Sequence, residues 1–457
     1  MPAQNRWSHK IWQVTALYKS VEVNLLLHPS SSGMSDVESD EKHDEISLGS
    51  KVIPEDDNSI PNGGLVAWLQ VLGGFFLLFN TSGMVNSFGV FQTYYESHIL
   101  LNENASRISW IGSLQGCLSL LVGALTGPLF DLGYFRHMIL FGTLLLSFAL
   151  MMTSLCDEYW QFMLAQSLCF GLAAACLCIP GMAITSTYFS TRRAFALGVV
   201  ASGSSIGAVV YTVVFRNLED KVGFPWTVRV FGFIAFGTLA ISNVVMRPRI
   251  APAHRRTLFA WHAFKEPAFV TFVFGICIGF MGAYIPFYHV SAYAMKRTGS
   301  SETLAFYLIA IMNGASTVGR ILPNFLADKI GPFNTMIPLA ACSAILAFGW
   351  MGIESVPSIC VFAVLYGFMT GAYVSLPTAC VASITKDLHE VGARVGMCFM
   401  FAGIGMLIGN PIAGALVDLE TGTFWKAQLC CAMLVLGSMV CLLLSRFFLS
   451  RKIMVKY

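Results

Sequence analysis

Twelve long apolar runs, separated by short stretches rich in Gly, Pro and charge, leave this sequence few ways to fold. They lie near residues 64–92, 107–130, 136–156, 159–188, 193–216, 224–246, 267–294, 302–326, 333–353, 357–385, 393–417 and 424–447. A bilayer core roughly 30 Å thick takes about 20 apolar residues per helix, and only segments that satisfy their backbone amides internally can cross it. Each run suffices for one crossing. Charged residues make up 12% of the chain, about half of the roughly 25% typical of soluble proteins, which excludes an ordinary soluble enzyme. The expected fold class is an all-α polytopic membrane protein with twelve transmembrane helices, joined by loops too short for a separate soluble domain.

The charge that remains is unevenly placed. Residues 1–60 hold five Lys/Arg and ten Asp/Glu, a net −5 in a chain of +3, so the remainder is +8. Residues 35–58 combine this charge with few aromatics, the signature of a disordered acidic tail. Residues 1–33 contain Trp7, Trp12 and a Val/Leu run, and read either as an amphipathic or targeting segment or as an extension upstream of a start at Met34. No early apolar core with a small-residue cleavage site marks a secretory signal. Lys and Arg concentrate in the loops on the tail's side, in the basic interval 247–266, and in the end 448–457, with about seven on the opposite side. The positive-inside rule then places both termini in the cytosol, with the plasma membrane the expected location. The sequon Asn104-Ala105-Ser106 falls in the first outside loop, as a candidate glycosylation site.

Thirteen Cys residues suggest redox or metal chemistry until their positions are read. Nearly all lie inside apolar runs without metal-like spacing, where Cys acts as a small hydrophobe. No metal, cofactor or nucleic-acid partner is expected.

The chain repeats itself. Gly127-Pro128-Leu129-Phe130-Asp131-Leu132-Gly133-Tyr134-Phe135-Arg136 follows the second run, and Asn324-Phe325-Leu326-Ala327-Asp328-Lys329-Ile330-Gly331 follows the eighth. Asp131 and Asp328 are 197 residues apart (328 − 131), and so are Pro180 and Pro377 (377 − 180). Two six-helix halves, 64–246 and 267–447, are expected on either side of the central loop. Parallel repeats of this kind, related by an axis along the membrane normal, characterise major facilitator transporters, and both loops resemble that superfamily's loop after the second and eighth helices. Pro61-Asn62-Gly63-Gly64-Leu65-Val66-Ala67-Trp68 and the stretch from Tyr188 through Arg192-Arg193 to Gly207 resemble signatures of the monocarboxylate porter family, in its fungal branch. An acidic residue usual in that family is replaced here by Asn62. The resemblance implies alternating access, with Asp131, Arg136, Asp328 and Lys329, together with Arg192 and Arg193, latching helix ends as a gate. Gly198, Ser202, Gly203 and Gly207 space small residues for close helix approach.

Ionisable groups inside lipid are functional candidates by default, and one stands out. Arg320 precedes Asp328 by eight residues, about 12 Å along a helix, near mid-membrane. Asn313, Ser316 and Arg320 share one helical face, and no Asp or Glu occurs at comparable depth. The resemblance assigns Arg320 to a substrate carboxylate; the residues alone also allow it to bond backbone carbonyls or reach the gate. Ser316 and Asn86 stand where well-studied members carry an acid and a Lys, so their proton relay is not carried over. His289 is a candidate for proton coupling, alongside facilitated diffusion or entry of the protonated substrate. Asn80 and Asn86 on the first run, Tyr284 and Tyr288 on the seventh and Tyr373 on the tenth complete the candidate substrate-binding set.

The expected function is secondary active or facilitative transport of small organic anions, monocarboxylates foremost, by a functional monomer in the bilayer with protons as candidate co-substrate. Within transport, the alternative is a carrier for riboflavin or an exporter of a secondary metabolite. A different class is a non-transporting membrane sensor with the acidic tail as its signalling arm.

Overall fold

A computed structural model describes residues 63–189, 193–248, 260–385, 390–418 and 421–449. The acidic tail, Arg192, most of the central loop and the C-terminal end lie outside them, as do the side chains of Asp131 and Arg193. The described residues are almost entirely helical. Eleven helical segments are long and apolar enough to cross a membrane. We number them α1 (Gly64–Ile99), α2 (Ala105–Leu125), α3 (Phe135–Thr153), α4 (Tyr159–Tyr188), α5 and α6 (193–222 and 224–245), α7 (Pro267–Arg297), α8 (Glu302–Ile330), α9 (Pro332–Gly352), α10 (Val356–Ile384), α11 (Val391–Leu416) and α12 (Trp425–Leu449). The continuous run Arg193–Val245 counts as two crossings, because its 53 residues reverse at Gly223, with φ 76° and ψ 168°. A left-handed φ suits Gly alone, and Pro225 then starts α6 where a missing N–H is harmless. The expected twelve crossings are thus present, but the fifth runs helical past residue 216 to the turn itself.

Three helices are interrupted rather than straight. α1 breaks at Thr81 (ψ −79°) and again at Ser87, then widens into a π-turn over Tyr95–Ile99. α7 breaks at Tyr284 ahead of Pro286, and α10 at Leu376 ahead of Pro377. Each proline lacks the N–H that would continue the ladder.

Lipid supplies no hydrophobic force between helices, so close approach through small residues holds them. A Cβ on Gly203 or Gly207 of α5 would overlap the carbonyls of Phe75 and Phe79 of α1. Gly405 and Gly409 of α11 meet those of Cys277 and Met281 of α7 in the same way. The glycines and the carbonyls they meet both recur at an offset of 202 (405 − 203, 277 − 75), close to the 197 of the sequence repeat. Gly198 meets nothing within 4 Å. Phe141, Phe233 and Phe274 point outward with more than half their surface exposed, as the flank of a bilayer-embedded bundle requires.

Candidate functional site

The Gly64 end and the Asn104 end of the bundle differ in closure. α2 packs along α11 and α5 along α8 for most of their lengths, whereas α4 and α10 do not form a packed pair. On the Asn104 side, Phe88–Tyr94 of α1 packs on the outer part of α7, and Gly89 presses so close to the Phe287 carbonyl that a Cβ there would overlap it. Arg216 of α5 reaches Glu302 Oε1 at 3.6 Å and Thr303 Oγ1 at 3.2 Å, with its guanidinium over the Phe306 ring. Glu302 is half exposed, and such surface pairs contribute only about 0–1 kcal/mol. The seal therefore rests on the Gly89 contact more than on charge.

Beneath this seal lies a narrow cavity walled by α1, α7, α8 and α10. Its polar lining comprises Asn86, Tyr284, Asn313, Ser316, Arg320, Thr370 and Tyr373, and its apolar walls include Phe280 and Phe287. Six of the eight residues singled out in the sequence as substrate-binding meet here. Tyr288 sits one turn further toward the Asn104 side, outside the lining. Asn80 is elsewhere: its amide donates to Phe76 O and Thr238 and accepts from the Tyr211 hydroxyl at 2.6 Å, which ties α1 to α5 and α6.

Arg320 is 4% exposed. Its Nη1 donates to the Ala201 carbonyl at 3.2 Å and to the Ser204 hydroxyl, and Nε reaches Ser316 Oγ at 3.4 Å. All three acceptors are neutral. None of the ion pairs among the described residues includes Arg320, and Nη2 has no hydrogen-bond partner there. A desolvated cation with spare donors, opening on a cavity, has the chemistry to receive an anion. Nearby, the Tyr284 hydroxyl reaches Asn86 Oδ1 at 3.4 Å, the Asn313 amide donates to Ile309 O at 2.9 Å while Asn313 Oδ1 stays unpartnered, and the Tyr373 and Ser438 hydroxyls pair. His289 is buried outside the lining with Nε2 unpartnered. Asn104 caps α2 by accepting from Arg107 N, and the Ser106 hydroxyl of the same sequon donates to Pro411 O.

Of the expected gate residues, Arg136, Asp328 and Lys329 are exposed, and Lys329 lies over the Phe325 ring. None belongs to an ion pair among the described residues. The Gly64 side instead carries a charged cluster that sequence reading missed. Arg394 of α11, with a side chain 4% exposed, makes a two-pronged contact with Glu266 at 2.7 and 2.8 Å and bonds Glu390 at 3.2 Å; His262 Nε2 meets Glu390 at 3.0 Å. Partners 128 residues apart leave no local signature. Phe280 and Phe287, which flank Tyr284 in the lining, were missed as well: α7 breaks at Tyr284 between them, so helical spacing alone does not set them on one face. Arg394→Ala would leave two carboxylates facing apolar helix ends, so it is expected to lower the melting temperature of the detergent-purified protein by about 3 °C or more. Lys329→Ala, removing only a surface cation, is expected to leave it unchanged.

Residues 65–359 match the Major Facilitator Superfamily. The chain is 43% identical over 80% of its length to the MFS-type transporter dbaD of Emericella nidulans, covering 82% of that protein. It is 38% identical to the aspyridones efflux protein apdF of the same organism, covering 87% of this chain and 80% of that one. With the agnestins efflux protein AgnL12 of Paecilomyces divaricatus it shares 35% identity, over 85% and 89% of the two chains. In fold it resembles crystal structures of the nucleoside transporter NupG (TM-score 0.65, 13% identity, 84% of this chain and 100% of that one) and the peptide transporter POT (TM-score 0.66, 13% identity, 85% and 97%).

Proposed function

The chain belongs to the Major Facilitator Superfamily, and from that premise we propose that it exports an anionic aromatic secondary metabolite by exposing the Arg320 cavity alternately to the two faces of the membrane. The observation that carries the export reading is the likeness, over 85% or more of the chain, to relatives named for efflux of secondary products. It favours the export alternative over the transport of small monocarboxylates that the sequence signatures suggested. The cavity supplies the chemical class: one uncompensated guanidinium for a carboxylate, enolate or phenolate, and aromatic walls from Phe280, Tyr284, Phe287 and Tyr373 for a planar ring.

On the reading that both termini are cytosolic, the open Gly64 side faces the cytosol and the sealed Asn104 side faces the exterior. Residues 64–246 and 267–447 then rock against each other along the α2/α11 and α5/α8 contacts. Asp328 and Lys329, which make no ion pair among the described residues, latch helix ends when the cytosolic side closes.

The test is flux from vesicles. Full-length protein reconstituted into transporter-free vesicles is expected to release preloaded aromatic carboxylates and acidic phenols faster than protein-free vesicles. Inertness toward these compounds combined with flux of lactate or pyruvate would return the assignment to monocarboxylates. An imposed proton gradient in the same vesicles distinguishes coupled from facilitated movement, with His289→Gln as the variant that reports on His289.

A further inference from the structure

Ser113 of α2, Tyr288 of α7 and Asn410 of α11 are all buried, and the Ser113 hydroxyl, the Tyr288 hydroxyl and both amide atoms of Asn410 have no hydrogen-bond partner among the described residues. The Tyr288 hydroxyl lies beside Ser113 and Asn410 without closing a well-formed bond to either. Unpaired polar groups in an apolar interior are expensive, and an apolar side chain of similar shape would be cheaper.

Their depth is informative. Counted at about 1.5 Å per residue from the Asn104 ends of their helices, Ser113 lies at about 12 Å, Tyr288 at about 14 Å and Asn410 at about 9 Å. Arg320 lies at about 27 Å by the same measure. The three side chains therefore sit between the cavity and the sealed face, where Tyr288 follows Tyr284 of the lining by one turn. Phe88 packs against Tyr288, their rings 5.1 Å apart. They also come from both sequence repeats, so the motion that lifts α1 from α7 parts them.

We propose that Ser113, Tyr288 and Asn410 form a second binding station on the path to the Asn104 side, taking neutral hydroxyl or carbonyl oxygens on the substrate ring after its anionic group leaves Arg320. This rests on the export reading above and adds to it a substrate feature: ring oxygens beyond the anionic group. One hydroxyl donor and acceptor, one phenol and one amide suit a polyhydroxylated or ketone-bearing ring, and bind no charge.

Benzoate and 3,5-dihydroxybenzoate share a carboxylate and differ only in ring hydroxyls. Wild-type protein in vesicles is expected to export the dihydroxy compound at least about tenfold faster, and Tyr288→Phe with Asn410→Leu to erase most of that ratio. Tyr288→Phe alone removes one oxygen and nothing else, so it carries the test if the double variant fails to purify as a monodisperse species; it is expected to lower the ratio about threefold. Equal slowing of both compounds would overturn the station, leaving these residues as parts of a gate, and an unchanged ratio would overturn it as well. Wild-type protein that moves both compounds equally overturns the station alone. Protein that moves neither overturns the aromatic-anion reading and the station with it.

Discussion

Arg320→Ala is expected to lower export of an anionic aromatic substrate at least about 30-fold, because truncating one partner of a desolvated charge contact costs about 2–5 kcal/mol. The same variant is expected to melt no lower than wild type. Arg320 carries a desolvated charge with no anion among the described residues to offset it, its acceptors Ser204, Ser316 and the Ala201 carbonyl being neutral. Removing such a charge relieves a penalty and leaves no carboxylate stranded. A purely structural Arg would show the reverse, with stability falling and flux following it. Arg320→Lys keeps the charge but loses the planar fork, and an intermediate loss of about tenfold is expected. Undiminished flux in Arg320→Ala would sink the assignment.

Gly89→Val is expected to shift the protein toward the state open on the Asn104 side. A side chain at Gly89 overlaps the Phe287 carbonyl and crowds Ile309 Cδ1 at 2.9 Å. The Phe287 contact joins the two sequence repeats, so it exists only while that side is sealed. Overpacking costs about 1–3 kcal/mol, which changes the ratio of the two states by roughly 5- to 150-fold. Fluorophores at residues 101 and 421, introduced as non-natural amino acids, should report a longer separation in the variant, and export should slow at least about tenfold as the cycle stalls. An unchanged separation in a folded, monodisperse variant would show that Gly89 only fills space. By contrast, Glu302→Gln removes one exposed partner of Arg216, so little change is expected there.

Much of the site was legible before any coordinates. Arg320 announces itself as a charge within an apolar run, and Asn313 and Ser316 follow from helical spacing on a continuous stretch of α8. The same reasoning misplaces Asn80. Helical periodicity sets Asn80 and Ser87, seven residues apart, on one face, but it holds only while the i to i+4 ladder is unbroken. The breaks at Thr81 and Ser87 reset the phase of α1, so Asn86 faces the cavity while Asn80 is used up in hydrogen bonds to Tyr211 and Thr238. Ser204 lay in plain view within the small-residue stretch of α5, where spacing indicated close packing; its contact with Arg320, 116 residues away, has no sequence signal.

The sequence by itself determined the class of molecule. A chain with this little charge and twelve apolar runs has to satisfy its amides in lipid, which forces helices, and the recurrence of Asp131 and Pro180 at Asp328 and Pro377 marks the internal repeat. Only the tertiary structure decided which polar groups are spent on packing and which remain available. That choice depends on helix breaks, on glycines such as Gly89 and Gly409 that bring backbones into contact, and on partners such as Arg394 and Glu266 that meet across long stretches of chain. Hydrogen bonds saturate at short range, and the neighbours that saturate them are set by the fold.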